Sequence, residues 1–433
     1  MDVSGDVSGG PLIKTLSRRL SVLLAPLNRR CPWWLPSLVA ASVVVGLQEL
    51  DGTAFLEQRS YNLLHQMRAQ LQPIAWDDRI VVIAIDEASL AEYGRFPWGR
   101  ERYAQLLDTL WVSQPGAVAF DLLLPEAAPA DEQLAQAIID SGNIVLAVGS
   151  DTQGTTLDVT PTLADPATGT FTTGFVNHWT DTDGVSRSAR LYQNQFPALS
   201  AATVQTYLDS LANTQQNSQR VEQRPTVTEQ IHPALTTPQS NRHWLNWPQA
   251  IPAPNTSDPA SLTVLSFADV AEGRIDLALL QNKIVLVGVT ALGIDPLRTP
   301  FHLEPPVSGV YLHAAVIDNL LNDRFLTRPL NDGLLLLLVL GLSVVTGYSL
   351  HSRSAKWQII YCAGVPLAWL GIVYGAFTLS GWLPLAAPIG AVWLTAVGLQ
   401  LQQQQDKQQL MNLFAMSVAP QTAQVIWQRK QEI

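Results

Sequence analysis

The sequence predicts an α/β domain with a mainly parallel sheet, held outside a membrane, together with four transmembrane helices. Four short runs are apolar throughout, as in strands that are covered on both faces. Amphipathic helix patterns lie between these runs, and alternating strands and helices are typical of parallel sheets. Three long stretches contain no Asp, Glu, Lys or Arg. The chain therefore combines one large α/β domain with several membrane spans.

The membrane spans come from the charge-free stretches, which cover Cys31–Gln48, Gly333–Ser352 and Trp357–Gln405. A helix needs roughly 20 apolar residues to cross a bilayer, so the third stretch is too long for one span. The Ser-Gly-Trp-Leu-Pro turn at residues 380–384 divides it. We predict spans at residues 33–50, 333–350, 357–378 and 383–400. A cleaved signal peptide is the alternative for the first span, but its thirty-residue lead and the lack of a small-x-small site favour an uncleaved anchor.

The charge distribution orients these spans. Residues 51–330 hold 16 basic and 30 acidic residues. The ten other basic residues lie in the tail 1–32, in the loop with Arg353 and Lys356, and in the segment 401–433. Basic segments flank spans on the cytoplasmic side. We therefore expect a multi-pass protein of the cell (inner) membrane with both termini cytoplasmic and residues 51–330 extracytoplasmic. The acidic balance of that domain argues against a nucleic-acid partner.

The α/β prediction depends on four strand-like runs, at residues 80–86, 117–124, 143–149 and 283–290. Tyr103, Leu106, Leu107, Leu110 and Trp111 follow a helical stripe between the first two runs. A second helix is predicted from Asp131 to Ile139. This alternation predicts right-handed crossovers and a parallel sheet.

The middle of the domain follows a different pattern. Residues 150–170 are rich in Thr, Asp, Gly and Pro and predict an irregular excursion. The Asp-Thr-Asp-Gly sequence at 181–184 predicts a hairpin between the segments on either side. A helix is expected from about Pro197 to Leu211, and residues 213–242 are interpreted as a flexible surface insertion.

Candidate binding residues lie at the carboxyl ends of the predicted strands, where open α/β sheets bind ligands. They are Asp86, Glu87, Asp121, Thr290 and Asp295. The alternative is that Asp86 caps a short helix at 87–93 and that the others are turn residues. A carboxylate pair would favour a cationic or hydrogen-bond-donating ligand, unless an arginine rim of Arg95, Arg100 and Arg298 neutralises it.

Motifs of enzymes are missing from the external domain: it has no G-x-S-x-G elbow, no H-E-x-x-H, no C-x-x-C and no P-loop lysine motif. The one hydrolytic pair that can be suggested is Ser89 with His313. However, His313 lies on an apolar helix pattern, which favours a buried histidine with its hydrogen bonds satisfied. Trp98 and Phe96 are expected to hold the following helix against the sheet. We expect no catalytic residue, no metal site and no cofactor.

A resemblance adds to this interpretation. The sequence resembles the type-two CHASE domain (CHASE-2), a bacterial extracytoplasmic sensor found in front of cyclases, histidine kinases and protein kinases. The resemblance is carried in order by "YNLLHQMR", "DDRIVVIAIDEASLAEYGRFPWGRERYAQLLDTL", "PGAVAFDLLLPEAAPADEQLAQAI", "LNWP", "TVLSFADVAEGRI", "NKIVLVGVTALGIDPLRTPF" and "VSGVYLHAAVIDNLLNDRFLTRP". It implies a sensory input domain for an unassigned small-molecule or ion ligand. The sequence departs from the family pattern at Asn62, where the family usually has Asp.

The segment 401–433 resembles the linker that precedes the catalytic domain in adenylate and guanylate cyclases carrying this sensor. Its glutamine run at 402–409 favours a continuation of the last span, although a polar tail is the alternative. We expect a receptor's sensory and transmembrane part, working as a homodimer in the lipid bilayer and relaying a signal to a cyclase output absent from this chain. The competing functions are an external hydrolase, a transporter, and a scaffold that only dimerises.

Overall fold

The computed structural model describes residues 32–151, 153–164, 171–193, 195–218, 242–251, 260–351 and 353–417. The chain divides into two compact units. The helical unit comprises residues 1–60, 329–375 and 383–433, and the α/β unit comprises residues 61–328 together with 376–382.

The elements are numbered here in chain order. The helices are α1 (Trp34–Glu49), α2 (Ala54–Leu71), α3 (Glu87–Tyr93), α4 (Arg100–Ser113), α5 (Asp131–Ser141), α6 (Leu199–Ser218), α7 (Phe267–Ala271), α8 (Val310–Leu321), α9 (Asp332–Leu350), α10 (Ala355–Thr378) and α11 (Ala386–Ser417). The strands are β1 (Ile80–Ile85), β2 (Ala117–Leu123), β3 (Ile144–Ser150), β4 (Thr156–Leu157), β5 (Phe171–Phe175), β6 (Ser188–Arg190), β7 (Tyr192–Gln193), β8 (Phe196–Pro197), β9 (Arg242–Trp244), β10 (Thr263–Ser266), β11 (Ile284–Val289), β12 (Pro296–Leu297) and β13 (Val307–Ser308).

In the helical unit, α1, α9 and α11 pack on one another. Small residues allow the close approach, since a Cβ on Gly347 would meet the Ser37 hydroxyl at 2.0 Å. Among the described residues, two helices, α9 and α10, are long and apolar enough to cross a membrane, or three if α1 and α2 form one broken span. The predicted number of four spans is therefore not confirmed. Helix α1 has only 16 residues, and glutamines occupy much of the second half of α11.

The α/β unit is built on a seven-stranded sheet. Its order is β10-β1-β11-β2-β3, with β5 and the short β4 both paired to β3. Every pairing is parallel except that of β4. The predicted mainly parallel sheet is thus confirmed, and the four predicted strands correspond to β1, β2, β3 and β11. Apart from Asp121 in β2 and Ser150 in β3 these strands are apolar, because helices pack on both faces of the sheet.

Alternate residues of the central strands form one core with α4, α5 and α7. Helices α6 and α8 pack together and contact the strands as well. Gly288 is needed for this packing, because a Cβ there would meet Val310 at 2.7 Å. The lack of a side chain in β11 therefore lets the start of α8 approach the sheet at its carboxyl edge.

Two predictions about the middle of the domain need correction. Asp181–Gly184 does form a tight turn, with the Gly184 N–H donating to the Asp181 carbonyl. However, the flanking segments do not form a hairpin, because β5 pairs in parallel with β3 and β6 pairs with β9. The prediction of a turn at 181–184 is confirmed, but β5 pairs with the edge of β3 instead of with the segment after the turn.

The predicted insertion at 213–242 is also shorter than expected. Helix α6 continues through residues 213–218, and β9 begins at Arg242. Residues 219–241 lie outside the described residues, so their flexibility remains a prediction. The glutamine run is helical within α11, as its helix propensity favoured; residues 418–433 lie outside the described part.

Candidate functional site

A cavity of about 380 Å³ lies at the carboxyl edge of β2 and β11 in the α/β unit. This is where parallel sheets bind ligands, and the volume suits a small molecule. Its lining combines apolar side chains with six titratable groups. These groups are Arg100, Tyr103, Asp121, His178, Asp295 and His313.

An irregularity in β2 places Asp121 at the cavity. The pairing of β2 with β3 shifts register between Phe120 and Leu123, so Asp121 and Leu122 form a bulge. Bulges turn side chains at strand ends and are frequent beside functional sites. The Asp121 side chain is 12% exposed and faces the pocket from this bulge.

Asp121 meets His313 inside the cavity. The two side chains approach to 3.8 Å between Oδ1 and Nε2, which is beyond hydrogen-bond distance. Neither side chain has a hydrogen-bond partner among the described residues, although the His313 side chain is only 9% exposed. His313 was predicted to have its hydrogen bonds satisfied, and the structure contradicts this, because α8 directs the ring into the cavity rather than into the core.

Burial determines the charge of this pair. Desolvation, followed by repulsion from Asp295, raises the pKa of Asp121 to about 7. Desolvation lowers the pKa of His313 to about 4, against the opposing effect of Asp295. Both shifts disfavour the charged forms, so from pH 4 to 7 the contact joins two neutral groups rather than an ion pair. We therefore do not interpret the 3.8 Å approach as a salt bridge.

Three other polar groups line the cavity. Asp295 is exposed and accepts a hydrogen bond from the Gly309 N–H through Oδ2 at 2.9 Å. His178, also exposed, follows β5, and the surrounding protein lowers its pKa mainly by desolvation. Arg100 is bound by the Asp131 carboxylate at 3.0 Å and by the Glu126 carbonyl. Arg100, the arginine of the lining, is therefore already paired.

Two of the five predicted site residues, Asp121 and Asp295, line this cavity. Asp86 is instead the N-cap of α3, accepting from the Ser89 N–H at 2.9 Å and from its hydroxyl at 2.6 Å. Glu87 is exposed and accepts from the Leu292 N–H. Thr290 is not part of the lining, and its hydroxyl is buried without a partner among the described residues.

The strand order explains this separation. β11 lies between β1 and β2, so Asp86 and Asp121 do not leave neighbouring strands. Their expected mutual repulsion is replaced by that between Asp121 and Asp295. The expected arginine rim is also incomplete, since only Arg100 of the three arginines lines the cavity.

The suggested hydrolytic pair is not formed. Ser89 is fully buried, and its hydroxyl takes part in a cap network with Asp86, Ser266 and the Ala268 N–H. His313 faces the cavity on another element. Within the described ranges, no group of three or more His, Cys, Asp or Glu side chains is arranged to hold a metal ion.

Comparison with known proteins identifies the family. The model of the CHASE2 domain matches residues 38–348, which is more than half of the chain. The chain belongs to the CHASE2 family. CHASE2 is an extracytoplasmic sensor domain of signalling proteins. No curated protein and no solved structure matched the chain.

The family position at Asn62 is part of a buried network that sequence reasoning missed. The Asn62 side-chain oxygen accepts from Arg187 Nε at 3.1 Å. Arg187 is fully buried and also binds Asp181 at 2.8 Å and Asp183 at 2.6 Å. In this CHASE2 domain the Asp-Thr-Asp-Gly turn therefore supplies carboxylates to a buried arginine, which accounts for its residues better than a hairpin does.

His178 and His313 were also missed as pocket residues. His178 could have been found if "TTGFV" had been recognised as a parallel strand, because His178 follows the carboxyl end of β5. His313 is one turn into α8, and only the packing of α8 at Gly288 brings it to the cavity.

Proposed function

We propose that this chain is the sensory and transmembrane part of a bacterial receptor that binds an extracytoplasmic ligand in the Asp121–His313 cavity and relays it to a cytoplasmic nucleotide cyclase. The observation that carries the proposal is a polar cavity at the ligand-binding edge of a CHASE2 sheet. Its two innermost titratable groups have no hydrogen-bond partner among the described residues. Unpaired buried polar groups are costly, so a ligand that pairs them gains affinity.

The route of relay is supported by the end of α10 and the turn that follows it. Residues 376–382 belong to the α/β unit. The Thr327 N–H donates to the Ser380 carbonyl, and the Trp382 N–H donates to the Thr327 carbonyl, both at 2.8 Å. A rearrangement of the α/β fold would therefore act directly on the chain that joins two helices.

A chimera tests this function. The full chain is fused after Ile433 to the catalytic domain of a nucleotide cyclase, and cyclic nucleotide is measured in cells. Val176 is half-buried in the pocket lining, so Val176→Trp fills the cavity, whereas Thr172→Trp on β5 adds the same ring at an exposed position. We expect Val176→Trp to change the output and Thr172→Trp to leave it unchanged. If none of the variants Val176→Trp, Asp121→Asn and His313→Ala changes the output, the proposal is contradicted.

A further inference from the structure

The lining of the Asp121–His313 cavity is rich in hydrogen-bond acceptors. Asp121 offers both carboxylate oxygens, because none is bonded within the described part of the chain. Asp295 Oδ2 already accepts from Gly309, which leaves Oδ1 for another donor. At neutral pH the low pKa of His313 leaves its ring neutral, so one of its nitrogens is also an acceptor.

Above about pH 7, where Asp121 is ionised, the charge of the lining is negative. The guanidinium of Arg100 is paired with Asp131 and with the Glu126 carbonyl, so it does not compensate Asp121 and Asp295. His178 adds no fixed positive charge, because desolvation by the surrounding protein lowers its pKa. A bound group that carries positive charge and several N–H donors satisfies this lining, whereas an anion would meet two carboxylates.

The composition of the lining favours an organic cation over a metal ion. Among the described residues no metal-holding group of His, Cys, Asp and Glu side chains exists. Most of the lining is apolar, and it includes Phe96, Leu122, Leu124, Val176 and Val289. Apolar walls with a few convergent polar groups are typical of sites for organic molecules.

We propose that the cavity binds a small organic molecule through a primary ammonium group, held by Asp121, Asp295 and His313, with its apolar part against Phe96 and the leucines of the β2 bulge. The three N–H donors of an ammonium match the three acceptor groups in number. This inference rests on the proposed function and specifies the chemistry of its ligand.

A linkage to pH follows. The titratable and charged groups around Asp121 are Arg100 and Tyr103 on α4, His178 after β5, Asp295 after β11 and His313 on α8. With no ligand the pKa of Asp121 is raised to about 7, so at pH 6 most of the carboxyl is protonated. An ammonium binds the ionised form, and binding at pH 6 therefore releases close to one proton, while binding at pH 8 releases close to none.

The experiment compares three probes of one shape on the full chain in lipid nanodiscs. They are 2-phenylethylamine, 2-phenylethanol and phenylacetate, which differ in charge. Calorimetry at pH 6 and pH 8, in two buffers of different ionisation enthalpy, measures affinity and released protons. We expect the amine to bind at least roughly tenfold more tightly than either analogue, and to bind roughly tenfold more weakly at pH 6 than at pH 8 with release of a proton.

The variants assign the effect to the cavity. Asp121→Asn should weaken amine binding at pH 8 by at least roughly tenfold and abolish its pH dependence. Asp295→Asn, at an exposed position, should weaken it by a smaller factor. Asp108→Asn on α4 is exposed and should change nothing.

The inference is overturned if the alcohol or phenylacetate binds as tightly as the amine, if Asp121→Asn leaves amine binding unchanged, or if millimolar amine produces no binding heat. Phenylacetate binding that is lost in Val176→Trp would reject the ammonium while supporting a ligand site in the cavity. The proposed function would then stand, and its own failure is measured separately by the chimera.

Discussion

The environment of Asp121 is unfavourable for the ordinary charge of an aspartate. A free aspartate has a pKa of about 3.9, whereas burial and Asp295 raise the pKa of Asp121 to about 7. Between these values the folded chain binds more protons than the unfolded chain. The contribution of Asp121 to folding is therefore most favourable below about pH 4 and is lost as the pH rises through 7.

Replacing this carboxyl with an amide should remove that loss. We expect Asp121→Asn to match the parent chain near pH 4 and to be more stable at pH 8, by on the order of 2 to 4 kcal/mol, because three pKa units correspond to about 4 kcal/mol. For a unit of this size that is a rise in midpoint of roughly 5 to 15 °C. Thermal unfolding of the full chain in detergent at pH 4, 6 and 8 measures it.

Asp318 makes the comparison with a control necessary. It is fully buried beside Arg324, and desolvation raises its pKa to about 7 as well. The pH dependence of the parent chain therefore has more than one source, and only the difference between variant and parent isolates Asp121. Asp108→Asn should run parallel to the parent at every pH. Equal pH dependence in Asp121→Asn would mean that this carboxyl is not perturbed as described.

At the scale of elements, residues 376–382 are the feature with the clearest energetic consequence. The Trp382 ring is 4% exposed and contacts Tyr61 and Trp244 edge to face, at centroid distances of 5.2 and 4.7 Å. The Arg328 guanidinium lies 4.3 Å from its centroid. Phe377 is fully buried, with Arg68 at 4.7 Å from its ring. This segment is therefore packed within the α/β unit.

Trp382→Ala should consequently destabilise the α/β unit by about 3 to 5 kcal/mol, the usual cost of removing a buried aromatic ring. It should also reduce the response of the cyclase chimera. Trp111→Ala removes the same ring from an exposed position on α4 (54% exposed) and should have little effect on either measurement. Thermal unfolding and cyclic nucleotide are read on the same variants. If both variants lower stability equally, the packing of Trp382 is not what holds this segment.

For the whole molecule, we propose a membrane orientation from the charge distribution. All ten basic residues outside 51–330 lie in segments that we propose to be cytoplasmic, and the acidic domain lies on the other side. Reporter fusions at Asn217 and at Ile433 should therefore give opposite signals. An alkaline phosphatase reporter should be active at Asn217 and inactive at Ile433. Matching signals at the two sites would reject the orientation and the four spans that it requires.

The homodimer is a separate proposal at this scale. Light scattering on the full chain in detergent should give twice the mass of one 47.3 kDa chain after subtraction of the micelle. The homodimer proposal is contradicted if the measured mass is that of one chain at a protein concentration at which the chimera responds.

The apolar runs at residues 80–86 and 283–290 predicted the parallel sheet, and the resemblance of the quoted motifs to the type-two CHASE domain predicted the family. The sequence left Asp86 open between a ligand-binding residue and a helix cap, and the structure shows the cap, a local contact with Ser89 three residues on. The site depended on contacts far apart in the sequence. Asp121, Asp295 and His313 meet because β11 enters between β1 and β2 and because Gly288 admits the start of α8. Likewise, the turn at 181–184 has the residues of a hairpin, but the edge of β3 and the buried Arg187 decided its pairing. The periodicity of apolar residues indicates which face of a helix or strand is buried. The order of the strands and the close approach of two elements depend instead on how the whole chain packs around one core.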